Sequence, residues 1–147
     1  MYCAFAPGRV EILGNHTDYN GGVVLSAALE LGITCRGRPR GDGKIRLRSE
    51  GMGEDFVFSV GDELLPNATW VDYPVGVLAM LRAKGFDPGA FECEFSSTLP
   101  TGAGLSSSAA MEVATAVFLM HLGGFSISPM DVAKLCRQAE NEFVGVN

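Results

Sequence analysis

Leu99-Pro-Thr-Gly-Ala-Gly-Leu-Ser-Ser-Ser-Ala-Ala-Met111 is a glycine- and serine-rich loop that runs directly into a helical pattern. Upstream, Phe91, Cys93 and Phe95 alternate with Glu92, Glu94 and Ser96, so Ala90 to Thr98 reads as a half-buried strand closed off by Pro100. Downstream, Ser106 to Leu122 holds no Gly or Pro, and Val113, Ala116, Val117 and Met120 recur at helical spacing. Gly102 and Gly104 reach backbone angles closed to other residues and leave room for a ligand. Ser106, Ser107 and Ser108 fall where a helix start leaves N–H groups unpaired. Free donors, hydroxyls and the positive end of a helix dipole together suit a phosphate. The same residues also read as a turn followed by a capped helix. Two familiar phosphate motifs are excluded. No Lys follows Gly104, as a Walker A loop requires. Ser107 stands where a dinucleotide fingerprint has its third Gly or Ala, and no acid lies between Glu112 and Asp131.

The chain has 147 residues, 47% hydrophobic and 19% charged, which suits one globular domain over 1–147. A net charge of −6 argues against a nucleic-acid surface. The one basic cluster, Arg36, Arg38, Arg40, Lys44, Arg46 and Arg48, reads as the solvated face of a hairpin. Cys3, Cys35, Cys93 and Cys136 have neither CxxC spacing nor a nearby His, so a reduced, cytoplasmic compartment is expected and a metal–thiolate site is not. The start of the chain lacks the features of a signal peptide, and no apolar run is long enough for a membrane span.

In chain order, Met1 to Ala6 reads as a short strand, Pro7-Gly8 as a turn and Arg9 to Leu13 as a second strand. Gly14 to Gly22 is a polar loop. Its Asn15, His16, Thr17, Asp18, Tyr19 and Asn20 carry the donors and acceptors that read sugar hydroxyls, or that close a surface turn on their own backbone. Val23 to Ile33 reads as a strand pair broken near Ser26-Ala-Ala28. Leu31 to Arg38 and Lys44 to Ser49 read as a hairpin around Pro39 to Gly43, with a further strand at Phe56 to Val60. A helix is expected to start near Asp72 and run to Lys84, with Trp70 and Tyr73 at its entrance as core or as a stacking platform. Gly123-Gly124 ends the long helix, and Ser128-Pro129 opens the last one, whose apolar face is Val132, Leu135, Cys136, Ala139 and Phe143.

Pro7-Gly-Arg-Val-Glu-Ile-Leu-Gly-Asn-His-Thr-Asp-Tyr-Asn-Gly-Gly22 closely resembles the signature of the galactokinase branch of the GHMP kinases. Leu99 to Ala110 resembles the phosphate loop of that wider family, and Ala139 to Asn147 resembles the galactokinase segment leading to the catalytic aspartate. The resemblance implies an α+β fold in two layers, a mixed and mainly antiparallel sheet with helices on one face, related to the second domain of ribosomal protein S5. It implies ATP-dependent phosphorylation of the anomeric hydroxyl of D-galactose, with Mg²⁺ as cofactor. Arg9 matches the arginine beside the transferred phosphate. Asn15, His16, Thr17 and Asp18 fall at the sugar end, where His16 and Asp18 match residues that hold hydroxyls. Gly102, Ala103, Gly104, Leu105, Ser106, Ser107, Ser108 and Ala109 match the loop around the nucleotide phosphates. Ser108 and Glu140 match the metal ligands, and Trp70 and Tyr73 match aromatics near the adenine.

Two positions depart from that pattern. Galactokinases usually carry Glu where this chain has Asn15, which keeps a kinase for a related sugar in view. The family's aspartate and C-terminal domain are not within 1–147, so the chain is expected to act as the N-terminal domain of a longer kinase, with little turnover by itself. A non-catalytic sensor of galactose and ATP is the reading from another class.

Overall fold

The computed structural model describes residues 1–14 and 20–146. The sheet opens with β1 (Tyr2–Leu13), a single strand of 12 residues. Pro7-Gly8 is therefore not a turn. The strand absorbs the pair as an irregularity, with the pairing register shifting between Pro7 and Arg9 and again between Glu11 and Leu13. β2 (Leu25–Pro39) is likewise one strand of 15 residues, without the break expected at Ser26-Ala-Ala28. Its alanines carry the ladder straight through, Ala28 opposite Arg9 and Ala27 opposite Val10. A partner strand along the whole length overrides the weak intrinsic preference of alanine for a sheet.

β3 (Lys44–Ser49) and β4 (Phe56–Ser59) follow, then α1 (Asp72–Ala83), β5 (Phe91–Ser97), α2 (Ser107–Gly123) and α3 (Pro129–Gln138). The strand order is β1-β2-β5-β3-β4, antiparallel throughout except for the parallel β3–β5 pair. The expected β2–β3 hairpin is thus corrected, because β5 is inserted between the two strands. Charge gives the physical reason. Pairing β2 with β3 would align two rows of arginines, and like charges across a ladder destabilise it. β5 brings Glu92 and Glu94 instead. Glu92 accepts from Arg38 at 2.6 Å and from Arg40 at 2.7 Å, and Glu94 stands 3.4 Å from Arg48. Arg46 is held by Asp55. The arginines of β2 and β3 lie on the solvated face of the sheet, as expected, but as a grid with carboxylates between them.

The other face is the core. Ala4, Ala6, Ile33, Cys35, Ile45, Leu47, Phe91, Cys93 and Phe95 point inward with period two and meet Val75, Leu78, Ala114, Phe118, Leu135 and their neighbours from the helices. α2 packs across β1 and β2, and Phe118 stands edge-on to Phe91 with ring centroids 5.9 Å apart. The result is the expected two-layer α+β arrangement. The four cysteines are free, and burial pushes the Cys35 thiol far up.

α1 is held at its entry by Asp72, a carboxylate only 2% exposed. It accepts the backbone N–H groups of Asn67 at 2.8 Å and Ala68 at 2.7 Å. Asp72→Ala is expected to lower unfolding stability by about 2–3 kcal/mol, because two amides then lose a charged acceptor. A urea titration that places the variant within 0.5 kcal/mol (about the scatter of an ordinary surface change) would contradict this role. α3 begins at Ser128, whose hydroxyl accepts the Asp131 N–H at 3.2 Å, and it continues from Ala139 to Val144 as a π-helical turn.

Candidate functional site

Three elements meet at one end of the sheet. β5 delivers the chain to the loop, where the Leu99 side chain is buried and Thr98 is tied to β2 through Gly32 at 2.9 and 3.0 Å. The loop then crosses β1. Gly8 is buried beneath it, and a Cβ there would lie 2.5 Å from Leu99 Cδ2 and 2.9 Å from the Leu105 carbonyl oxygen. That oxygen accepts the Arg9 N–H at 3.0 Å. A residue close in space to the loop but almost a hundred positions away in sequence is thus fastened to it by a backbone bond.

Gly102, Gly104 and Ser106 all adopt positive φ, at 72°, 66° and 59°. No atom lies within 4 Å of where a Cβ would stand on either glycine, so the loop faces open space. Leu99, Pro100 and Gly102 through Ser108 line a hollow of about 330 Å³. Ser106 begins α2 in the left-handed conformation, with no side-chain cap. The first N–H in the helical ladder is that of Ala110, bonded to the Ser106 carbonyl at 3.0 Å. The alternative of a turn with a serine-capped helix does not hold: Ser106 makes no side-chain cap, and among the described residues the amide donors of α2 ahead of Ala110 are free. The first turn carries no acidic residue, so the positive helix end is uncompensated. A left-handed Ser106 is a strained choice for a non-glycine residue, and such strain concentrates where a ligand is held.

Arg9 extends its guanidinium into solvent, 53% exposed, with a loose 3.8 Å ion pair to Glu11. Glu11 keeps its Oε1 buried without a partner among the described residues. Sequence reasoning passed over Glu11, although an acid two positions from Arg9 on one strand face is a readable signal. Asn15, His16, Thr17 and Asp18 lie outside the described residues. Trp70 stands edge-on to Phe95 with ring centroids 5.9 Å apart, half-buried against the core, and neither it nor Tyr73 lines the hollow.

Glu140 is half-buried at the start of the π-helical turn, and its carbonyl accepts from Gly145 at 3.0 Å and Val146 at 3.1 Å. Its carboxylate bears on Glu112 of α2, which sequence reasoning also passed over. Glu112 is 1% exposed, and its Oε1 has no partner among the described residues. Burial, and then the charge of Glu140, push the Glu112 carboxyl up to about 8. Burial pushes the Cys136 thiol up to about 12, with the charges of Glu112 and Glu140 adding to it. The legible signal for Glu112 is that it is the sole charge between Ser107 and Met120. Ser108 and Glu140, the two positions expected to ligate a metal, carry oxygen donors, the chemistry a hard cation such as Mg²⁺ takes. Among the described residues no three His, Cys, Asp or Glu side chains are grouped to hold a metal by themselves. Such an ion would share its shell with phosphates and water, as Mg²⁺ commonly does.

The family model for the GHMP kinases N terminal domain matches residues 72–147, and that for the galactokinase galactose-binding signature matches residues 2–39. The galactokinase of Halalkalibacterium halodurans is 43% identical over 145 residues, covering 97% of this chain and 36% of the relative. That of Pyrococcus furiosus is 41% identical over 141 residues, covering 96% of this chain and 39% of the relative. The chain therefore spans less than two-fifths of the length of these relatives. Lactococcus lactis galactokinase complexed with galactose superposes with a TM-score of 0.89 at 34% identity, over 99% of this chain and 39% of that one. Methanococcus jannaschii mevalonate kinase gives 0.88 at 20% identity, over 99% and 48%, a likeness of fold. With the strand–loop–helix site, the sheet order and the matched N-terminal domain in agreement, the chain belongs to the GHMP kinase family.

Proposed function

We propose that residues 1–147 form the nucleotide-phosphate and sugar-entry domain of an ATP-dependent sugar 1-kinase acting on D-galactose. The observation that carries this is the uncapped start of α2 behind the Gly102–Ser108 hollow, fastened to Arg9 through Leu105. The galactokinase relatives supply the substrate class, and Asn15 favours a related sugar as the second reading. The sugar's anomeric oxygen would form the new bond to the γ-phosphorus as the bridging bond to ADP breaks, and the hydroxyl proton would leave to a base. Such transfers are catalysed mainly by positioning and charge stabilisation.

The free amides of α2 and the serine hydroxyls would hold the phosphate oxygens. Arg9, exposed and only loosely paired with Glu11, would reach the transferring group with its guanidinium. Ser108 and Glu140 would hold Mg²⁺, which when bound neutralises charge on the phosphates. Trp70, leaning on Phe95, and Tyr73 would border the base. Because the chain covers less than two-fifths of its relatives, the 147 residues alone are expected to bind nucleotide without measurable sugar turnover.

Calorimetric titration with a Mg²⁺–ATP analogue tests this directly. Ser108→Ala is expected to weaken binding about tenfold, the worth of one charge-assisted contact of roughly 1.5 kcal/mol. Equal affinity in wild type and variant would remove the loop from the site. Turnover of D-galactose by the isolated chain would overturn the partial-domain reading.

A further inference from the structure

We propose that the outer face of the sheet carries a separate anion site, a hollow across β2, β5 and β3 in which Arg36 and Arg48 hold the phosphate group of a small molecule. None of the serine-loop residues lines it. Antiparallel pairing sets Arg36 opposite Glu94 and Arg38 opposite Glu92. The parallel β3–β5 pair sets Glu94 opposite Arg48 and Glu92 opposite Arg46. Two rows therefore cross the sheet, each an arginine, a glutamate and an arginine. Alternation along the strands puts all of them on the face turned away from the helices. They line a hollow of about 250 Å³. Four guanidinium groups face two carboxylates there, in a chain whose net charge is −6.

The two rows differ in how far their charges are satisfied. In one, Glu92 accepts from Arg38 at 2.6 Å and from Arg40 at 2.7 Å, and Arg46 is held by Asp55, which lies outside the hollow. In the other, the Arg36 side chain has no ion pair or hydrogen bond among the described residues. Arg48 makes only long approaches, 3.4 Å to Glu94 and 3.8 Å to Asp55. Two arginines short of a strong acceptor thus flank Glu94, which is 54% exposed and free to turn outward. Their backbones are two strand spacings apart, roughly 10 Å, a gap that two arginine side chains bridge. A phosphate group presents oxygens on several sides and accepts from guanidiniums that approach from opposite directions. A carboxylate has two oxygens in one plane and suits a single guanidinium. A phosphate monoester carries a charge of about −1.5 to −2 at pH ~7, which balances the excess positive charge of the lining groups. The volume lies just below that of ordinary ligand pockets, which suits a phosphate on a small organic body.

The test titrates the 147-residue chain with inorganic phosphate at low ionic strength, read by nuclear magnetic resonance at the arginine Nε–H groups. The Arg36 and Arg48 signals, assigned from the spectra of Arg36→Gln and Arg48→Gln, are expected to shift together and saturate. The signal of Arg137, exposed on α3 in the helical layer, should stay still. Each of the two substitutions is expected to weaken binding about fivefold, the worth of a partly exposed ion pair. Arg137→Gln should leave it unchanged. Glu94→Gln is expected to strengthen binding by a similar factor, because the phosphate then meets no carboxylate between the two arginines. Backbone amides of Gly102 to Ser108 report the serine loop separately. Arg36 and Arg48 signals unmoved at ~10 mM phosphate, where a millimolar site would be filled, overturn the inference, and a shift of the loop amides in that case leaves the phosphoryl-transfer reading intact. Shifts of equal size at Arg137 would show only a diffuse ion atmosphere and overturn it as well. So would a stronger response to citrate or to an acidic peptide, which would give the face to carboxylate partners.

Discussion

Gly8→Val is expected to cost the chain about 2 kcal/mol of stability and to weaken its hold on a nucleotide analogue roughly ten- to hundredfold. Gly8 lies buried where β1 passes under the serine loop, and even a methyl group there would press on Leu99 and on the Leu105 carbonyl. The Leu99 side chain can rotate away. The Leu105 carbonyl is backbone, and it is the acceptor that binds Arg9 to the loop. Valine therefore forces β1 and the loop apart, breaks the 3.0 Å bond, and displaces both the guanidinium and the free amides of α2. The cost in a packed interior follows from overpacking, and the cost in affinity follows from donors that no longer converge. Gly41→Ala is the control: no atom lies within 4 Å of its Cβ position, so stability and affinity should both be retained. Urea unfolding and calorimetric titration of the two variants read the effects separately. A Gly8→Val chain that binds the analogue like wild type would show that the loop keeps its shape without β1.

That coupling was invisible in the sequence, while the loop itself was legible. Phe91, Cys93 and Phe95 alternate cleanly, and Ser106 to Leu122 contains no breaker, so strand, loop and helix appeared with bounds within two residues. Local chemistry wrote those elements. The misread elements were those that distant partners decide. Pro7-Gly8 carries every local sign of a turn, yet β2 pairs with β1 on both sides of it and the strand continues. Ser26-Ala-Ala28 looks like a break for the same reason. The β2–β3 hairpin followed from a short loop rich in Gly and Pro, but the insertion of β5 depends on carboxylates more than forty residues further on.

At the site, the residues that line the hollow were legible from Gly and Ser spacing. The burial of Glu112 was not: its isolation among uncharged residues marks it out, but a single acid in a helix reads as solvent-facing until the helices are packed. Trp70, which the sequence leaves as core or stacking platform, stands edge-on to Phe95 at the rim of the core.

The metal-free chain is expected to lose stability steadily as pH rises from about 5 to 8, at up to about 1.4 kcal/mol per pH unit, through Glu112. The sign follows from the direction of the shift. The carboxyl is pushed up to about 8 in the folded chain from an ordinary value of 4.5, so the folded state binds this proton more tightly than the unfolded one. The stabilisation is complete below 4.5 and drains away as pH climbs through about 8. Above that, the folded protein must bury a charge beside Glu140 with one oxygen unpartnered. Other shifted groups fall outside this window. Arg40 and then Lys44 hold Asp42 low, Arg38 and Arg40 hold Glu92 low, and burial carries the Cys35 and Cys136 thiols upward. Urea midpoints across the range, taken in chelator, should fall for wild type and stay nearly level for Glu112→Gln, whose amide has no proton to lose. The two curves should lie closest near pH ~5 and differ by a few kcal/mol near pH ~8, with the variant the more stable. A wild-type chain equally stable at both ends would mean that Glu112 meets water or a hydrogen-bond donor in solution.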